Sequence, residues 1–433
     1  MKDLLKRLVP APLLKGYYAL WPALGRVRYG APSTKLKVIG VTGTNGKTTT
    51  THLITHILEE AGYTVASLSS LRFKVGKREW ANKTKMTMPG RLTVHALLHD
   101  AVKAGCQYAV LEITSEGIKQ QRHRAITFDA AVFTNLAPEH VESHGSFERY
   151  RAAKEELFKR ARSVAVINVD DENAPHFARA TGARVLGYHA EGKKAQFTPD
   201  QLVTATDVSL GKEQSAFTVK LPGAEKPTRV IMPLVGMFNI YNALAAITLT
   251  HAYGVPVARA AMALKHLKQI AGRMEVIVRE PFSAIVDLAH TPDALEQVYE
   301  LVRNEYRIGE EGRKLICALG SAGGSRDHWK RPSMGRVAGR FCDEVILTTE
   351  DTHGEKAGDI IDAIAEGVGE QAKVRKIENR RAAIREALKA AHPGDVVLIT
   401  GKGAEPYHSD ERGAKIPWDD RAVVREELEK LHP

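Results

Sequence analysis

The 433-residue chain has little cysteine: Cys106, Cys317 and Cys342 stand far apart, and none belongs to a Cys-x-x-Cys spacing. So odd and sparse a set argues against a disulfide framework and against a zinc ribbon, and each residue is expected as a small buried hydrophobe in a reducing cytoplasm. No apolar run approaches the ~20 residues that a membrane span requires. Met1 to Pro10 lacks an apolar core followed by a small-residue cleavage site, so no signal peptide is expected. Internal repeats, low-complexity tracts and RNA-binding aromatic motifs are also missing, and the basic residues are spread along the whole chain. The net charge of +11 therefore points to anionic substrates more than to nucleic acid, although a plain solvated basic surface accounts for it equally well.

What is present centres on residues 37–50, an apolar strand that runs into a Gly-rich turn and a Thr-rich helix start. Gly43, Thr44, Asn45 and Gly46 form a turn whose backbone N–H groups suit an oligophosphate, and the helix that follows adds its positive end. Lys47 is placed to reach the β- and γ-phosphates of ATP, Thr48 to hold Mg²⁺, and Thr49 to continue the cradle. A generic P-loop has glycine five residues before Gly46, where this chain has Val41.

Three segments are expected. Residues 1–36 are short, basic and amphipathic, with prolines at 10, 12 and 22 breaking them into helices of one to three turns. They read as a cap packed on the next domain, with docking on a membrane surface as the alternative. Residues 37–271 alternate apolar strands (38–42, 63–67, 108–113, 130–135, 164–168) with helices (49–61, 93–104, 147–162), the rhythm of a parallel sheet wrapped by helices. Between 176 and 235 the segments become short and alternating, which reads as antiparallel, before helices that end near 251 and 268. From 272 to 433 the rhythm restarts with strands at 284–288, 315–319, 344–348 and 396–400 and helices at 293–304, 333–340, 358–369 and 380–391. The fold class is α/β: a central P-loop ATPase domain with a mostly parallel sheet, then a C-terminal Rossmann-like α/β domain.

In parallel sheets ligands gather at the carboxyl ends of strands, so Glu112, which ends an apolar strand beside the P-loop threonine, is a candidate ligand for Mg²⁺. Residues 133–145 then bring Glu139, His140 and His144 together, followed by Tyr150-Arg151-Ala152-Ala153-Lys154. This stretch and Thr-Gly-Thr-Asn-Gly-Lys-Thr-Thr resemble the Mur ligase family, ATP-dependent amide-forming enzymes, and within it the tripeptide synthetases that extend UDP-muramoyl peptides. The resemblance covers nearly all of the chain from residue 36 onward. It includes Gly236-x-Phe238-Asn239-x-x-Asn242-Ala243, Gly272-Arg273-Met274-Glu275 and Asp287-Leu288-Ala289-His290-Thr291-Pro292-Asp293.

The resemblance implies ATP and two Mg²⁺ ions. Asn239 and Asn242 would contact adenine, Arg273 would sit at an interdomain hinge, Asp287 would meet the ribose and His290 the phosphates. His140 would ligate the second Mg²⁺ together with Lys154, which the family carbamylates; Lys47, His140 and Lys154 are then the catalytic candidates. Thr87, Met88 and Pro89 would meet the carboxylate substrate, with Ser115, Asp351, His353, Gly401 and Glu405 as further substrate-binding candidates. The expected partners are a muropeptide-like carboxylate and an amino acid.

Three departures bear on specificity. Only about 36 residues precede the P-loop strand, too few for the family's uridine-nucleotide domain. Glu350-Asp351-Thr352-His353 stands where diaminopimelate-adding members have Asp-Asn-Pro-Arg, and Thr114-Ser115-Glu116-Gly117 where they have Ser-Ser-His-Gly. A lipid-linked muropeptide, a cyanophycin-type peptide or a folylpolyglutamate are the rival substrates. From another class, the rival is a nucleotide-binding partner subunit without chemistry of its own.

Overall fold

β1 (Lys37–Thr42) is buried at every residue except Lys37, and its side chains divide by parity: Ile39 and Val41 enter one core cluster, Val38 the other. A strand covered on both faces requires that division. The computed structural model describes residues 11–431 apart from 85, 224, 225, 325, 326 and 371, so the first ten residues of the expected amphipathic segment lie outside the described residues.

β1 belongs to an 11-stranded sheet with β2 (Val65–Leu68), β3 (Arg72–Val75), β4 (Arg78–Ala81), β5 (Tyr108–Glu112), β6 (Phe128–Phe133), β7 (Ala161–Asn168), β8 (Arg184–Ala190), β9 (Gln201–Ser209), β10 (Ser215–Lys220) and β11 (Thr228–Met232). The spatial order is β11-β10-β9-β8-β7-β6-β1-β5-β2-β3-β4. The run from β9 through β1 to β2 is parallel, and antiparallel pairs extend both edges. The expectation of antiparallel pairing across 176–235 is thus corrected for β8, which pairs parallel with both β7 and β9. The helix Ala174–Ala180 supplies the crossover from β7 that a parallel neighbour needs.

α1 (Ala11–Arg28) precedes the sheet, and it corrects a second expectation: it is one helix of 18 residues that passes through Pro22. Pro22 is buried, and the close packing of Gly25 on a neighbouring helix holds the chain on course, since a Cβ on Gly25 would lie 2.7 Å from the His95 ring. α2 (Lys47–Glu60) and α5 (Met237–Ala252) cover one face of the sheet with Leu53, Ile54, Leu244 and Ile247. α3 (Arg91–Lys103) and α4 (Phe147–Phe158) cover the other with Leu97, Leu98, Leu157 and Phe158.

The second sheet has six strands, β12 (Glu275–Val278), β13 (Ser283–Val286), β14 (Leu315–Leu319), β15 (Glu344–Leu347), β16 (Lys373–Lys376) and β17 (Val396–Ile399), in the order β12-β13-β17-β14-β15-β16. All pairs are parallel except β12 with β13. Crossover helices include α6 (Pro292–Glu305) and α7 (Lys330–Phe341). The structure is therefore α/β throughout.

The cysteine expectation is corrected in part. All three are buried, but Cys317 and Cys342 are joined as a disulfide with a Cα–Cα distance of 6.1 Å, and Cys106 is the free one. Cys317 lies inside β14 and Cys342 follows α7, so the β–α crossover places side by side two thiols separated by 25 residues of sequence. Among the described residues no helix is long and apolar enough to cross a membrane.

Candidate active site

The turn after β1 carries Gly43 to Gly46 and opens α2 at Lys47. Gly46 has φ of 80°, and a Cβ there would come within 2.2 Å of Asn242 Oδ1, so this position takes glycine for both conformation and space. Lys47 Nζ folds back over the loop, donating to the carbonyls of Gly43 at 3.1 Å and Thr44 at 2.6 Å. The Thr48 hydroxyl donates to Glu112 Oε2 at 3.0 Å. Glu112, at the end of β5, also accepts from the Ser70 N–H at 2.8 Å, and the Ser70 hydroxyl meets Thr87 Oγ1 at 2.8 Å. The P-loop, the acidic strand end and the 87–89 segment are thereby one bonded unit.

That unit opens into a cavity of about 260 Å³ between the two sheets, with Arg273, His290, Asp351, Gly401 and Glu405 on its other side. A second, adjoining cavity of about 710 Å³ is lined by Gly46, Thr49, Asn239, Asn242, Asp287 and His290, ample for a nucleotide. Arg273 lines both. Asn242 accepts from Thr50 Oγ1 at 3.1 Å and donates to Asn239 Oδ1 at 3.2 Å, which ties the start of α5 to the first turn of α2. Asn45 Nδ2 reaches across to Asp293 Oδ2 at 3.0 Å, one of the contacts that tie the two sheets together.

The backbone that joins the two sheets is tightly packed. Gly272 has φ of 62°, and a Cβ on it would lie 2.3 Å from the Ala404 backbone nitrogen. Asp287 accepts the N–H groups of Met274 at 2.8 Å and Ala289 at 2.7 Å, so its carboxylate holds this connection while lining the second cavity. Burial pushes this carboxyl up, and Arg273 and the two amides only partly offset it.

His140 occupies the left-handed region, with φ of 56°, at the start of a short helical turn, a conformation that costs a non-glycine residue strain and concentrates at functional sites. Glu139 lies 3.9 Å from His140 Nε2 and 3.4 Å from His290 Nε2, bridging the two sheets. Burial raises its carboxyl, but His140, His290 and Lys47 outweigh that and hold it well below the usual range. Lys154 is 2% exposed and donates to the Gly43 carbonyl at 2.6 Å from beneath the loop. Burial and the nearby Lys47 drive its ammonium well below the ordinary lysine range. Among the described residues no group of three or more His, Cys, Asp and Glu gathers as a metal cage. The Thr48–Glu112 oxygen pair nevertheless suits Mg²⁺ carried in with a nucleotide, which keeps phosphate and water oxygens as its other ligands.

The remaining candidates divide. Thr87, Met88, His140 and His353 line a third, open cavity of about 940 Å³ that continues from the first. Ser115 is buried at the start of the helix Ser115–Lys119, and neither it nor Pro89 lines any of these three cavities. Glu405 and Asp351 both pair with the buried Lys402. Ser70 and Lys330, which no sequence motif marks, line the first cavity together with Glu350, which the sequence marks only as the first residue of the Glu350-Asp351-Thr352-His353 departure. Ser70 follows the end of β2 and Glu350 that of β15, so the strand-end rule that found Glu112 also reaches these two.

Comparison with known proteins identifies relatives of both halves of the chain. Residues 41–250 match the Mur ligase middle domain and residues 272–403 the Mur ligase glutamate ligase domain. A UDP-N-acetylmuramyl-tripeptide synthetase of Roseiflexus sp. (strain RS-1) is 39% identical over 98% of this chain and 85% of its own length. A UDP-N-acetylmuramoyl-L-alanyl-D-glutamate--2,6-diaminopimelate ligase of Halalkalibacterium halodurans is 35% identical over 93% of this chain and 80% of its own. A solved structure of a ligase of that second name is 31% identical, with a TM-score of 0.60 over 92% of this chain and 79% of the other. The folylpolyglutamate synthase of Mycobacterium tuberculosis shares the fold, with a TM-score of 0.69 at 17% identity over 88% of this chain and 92% of the other. With both halves matched and this identity sustained over most of its length, the chain belongs to the Mur ligase family, the ATP-dependent ligases that join a carboxylate to an amine.

Proposed function

We propose that the protein adds an amino acid to a UDP-muramoyl dipeptide, the reaction named by its tripeptide-synthetase relatives. The observation that carries this reading is the single cavity with Lys47, Thr48 and Glu112 on one wall and Gly401 and Glu405 on the other. Phosphate chemistry and amine capture then share one space. ATP lies over Gly43–Thr49 with its base toward Asn239 and Asn242. The substrate carboxylate, held near Thr87, attacks the γ-phosphate to give an acyl phosphate and ADP. Lys47 neutralises the charge that develops on the transferred phosphoryl group. The amino acid, held at Asp351, His353, Gly401 and Glu405, attacks the activated carbonyl and releases phosphate.

Mg²⁺ on Thr48 and Glu112, with a second ion at His140 and carbamylated Lys154, would supply further positive charge at the phosphates. The fit of Lys154 to this role rests on its burial: an amine held neutral is the form that reacts with carbon dioxide, and the carbamate reverses its charge beside a cation. Arg273, at the hinge, lines both the nucleotide and the reaction cavity, so closure of the two sheets would exclude water from the acyl phosphate. A cytoplasmic setting, where ATP is available, belongs to the same reading. So does peripheral contact of residues 1–36 with a membrane surface, for which the exposed Leu13, Tyr17, Leu20, Leu24 and Val27 of α1 speak.

The test is ADP release from ATP and Mg²⁺ with UDP-MurNAc-L-Ala-D-Glu and a panel of amino acids that includes meso-diaminopimelate and lysine. Turnover that needs both partners is expected. Intact ATP binding without turnover would move the reading to a lipid-linked or peptide substrate.

A further inference from the structure

Three carboxylates stand at the acceptor corner of the reaction cavity, and their surroundings differ. Asp351 and Glu405 flank the fully buried Lys402, the first at 3.1 Å from Nζ and the second in a shorter contact. Asp351 also accepts the Ser409 N–H at 2.6 Å. These two carboxylates already have donors within the protein. Glu350 is different: it is only 7% exposed, it lines the cavity that Lys47 and Glu112 also line, and its Oε2 has no hydrogen-bond partner among the described residues. The loop after β17 presses against it, since a Cβ on Gly401 would sit 3.0 Å from Oε2. A buried acceptor oxygen without a donor is costly unless a ligand supplies one.

Resting on the reading of the site as an amide ligase, we infer that Glu350 is the base that takes the proton from the incoming amine. An amino acid arrives as an ammonium ion, which has no lone pair to attack with. Carboxylates as well as Lys47, Arg273 and Lys330 line the cavity, and at the acceptor corner Glu350 Oε2 is the buried carboxylate oxygen that has no donor among the described residues. The acceptor's N–H⁺ donates to Glu350 Oε2, and the proton passes to that carboxylate. The freed lone pair forms the C–N bond at the acyl phosphate carbonyl, the C–O bond to phosphate breaks, and phosphate leaves with that electron pair. The second nitrogen proton goes to the departing phosphate, so the products are a neutral amide, hydrogen phosphate and protonated Glu350.

The groups that face Glu350 suit this role. Burial pushes its carboxyl up; His290 and Lys402 pull it down, Asp351 pushes it up, and Lys330 pulls it down, with a net rise. Arg380, bonded to Asp420 behind the corner, also faces it. A base with raised proton affinity takes a proton from an ammonium more readily than an ordinary carboxylate does.

Glu350→Gln keeps the shape and removes the base. Wild type and variant are compared with UDP-MurNAc-L-Ala-D-Glu, ATP and three nucleophiles: meso-diaminopimelate, L-lysine and hydroxylamine. Hydroxylamine is unprotonated at neutral pH and needs no base. Expected are a fall of about 100-fold or more in kcat with the productive amino acid, hydroxamate formation within about twofold of wild type, and a variant rate that climbs with pH as free amine accumulates. Undiminished hydroxamate also shows that the variant folds and activates its carboxylate. Equal losses with both kinds of nucleophile, or no loss with the amino acid, would overturn the inference. Wild-type protein that makes no hydroxamate would overturn the acyl-phosphate reading itself, and this inference with it.

Discussion

The two walls of the cavity proposed for the reaction are built in different ways. The nucleotide wall comes from one contiguous turn, Gly43 to Thr49, and works through backbone geometry, a helix start and one lysine. The acceptor wall is gathered from loops after β15 and β17, about fifty residues apart in sequence, and works through charged side chains balanced against one another: Glu350, Asp351, Lys402 and Glu405. Phosphate is the same in every ATP, so a local motif suffices to bind it. An amine must be positioned and deprotonated, which takes side chains from several strands.

Substitutions that fall on one wall and spare the other test this division. Lys47→Ala should have the largest effect, lowering ADP release by about 1000-fold or more because charge on the transferring phosphoryl group goes unmatched. Lys154→Ala should also remove turnover while leaving ATP binding measurable by calorimetry, and wild-type activity should fall in carbon-dioxide-depleted buffer and return with bicarbonate. A partner subunit without chemistry would lose nothing in either experiment. On the acceptor wall, Lys402→Met should strand the Asp351 and Glu405 carboxylates; removing one partner from a buried charge cluster costs about 3–5 kcal/mol. Urea unfolding reads that loss, and stability equal to wild type would mean that Lys402 does not organise the corner.

A smaller effect lies outside both walls. His123 is buried, and burial followed by Arg160 lowers its imidazole to about 4. With the folded value below the unfolded one, the stability this neutral imidazole contributes is present above about pH 6.5 and is lost as pH falls toward 4. The loss should reach about 2 kcal/mol by pH 5, and His123→Gln should flatten that part of the stability profile. Last, thiol titration of the unfolded, unreduced protein should find one reactive cysteine, Cys106; three would contradict the Cys317–Cys342 bond.

Much of the nucleotide wall was legible in the sequence because its information is local. Spacing alone indicates a strand, two glycines, Lys47 and Thr48, and Glu112 follows from the end of an apolar run. The α/β class follows in the same way from alternating apolar strands and helices. Ser70 carries no pattern of its own and Glu350 is marked in the sequence only as part of a motif departure; the sheet order sets the one beside the P-loop and the other beside Gly401. The parallel placement of β8 was hidden because alternation along a strand reports its faces and not its direction. The passage of α1 through Pro22 depends on the close approach of Gly25 to His95, a tertiary contact that overrides proline's local preference. Cys317 and Cys342 meet because of a crossover, which no cysteine count reveals.

The central claim is that one cavity passes a carboxylate through an acyl phosphate before the amine attacks. The most direct measurement is oxygen transfer: UDP-MurNAc-L-Ala-D-Glu labelled with ¹⁸O in its carboxylate is turned over with ATP and the productive amino acid, and the released phosphate is analysed by mass spectrometry. One ¹⁸O per phosphate is the predicted result. Unlabelled phosphate alongside amide product would contradict the account.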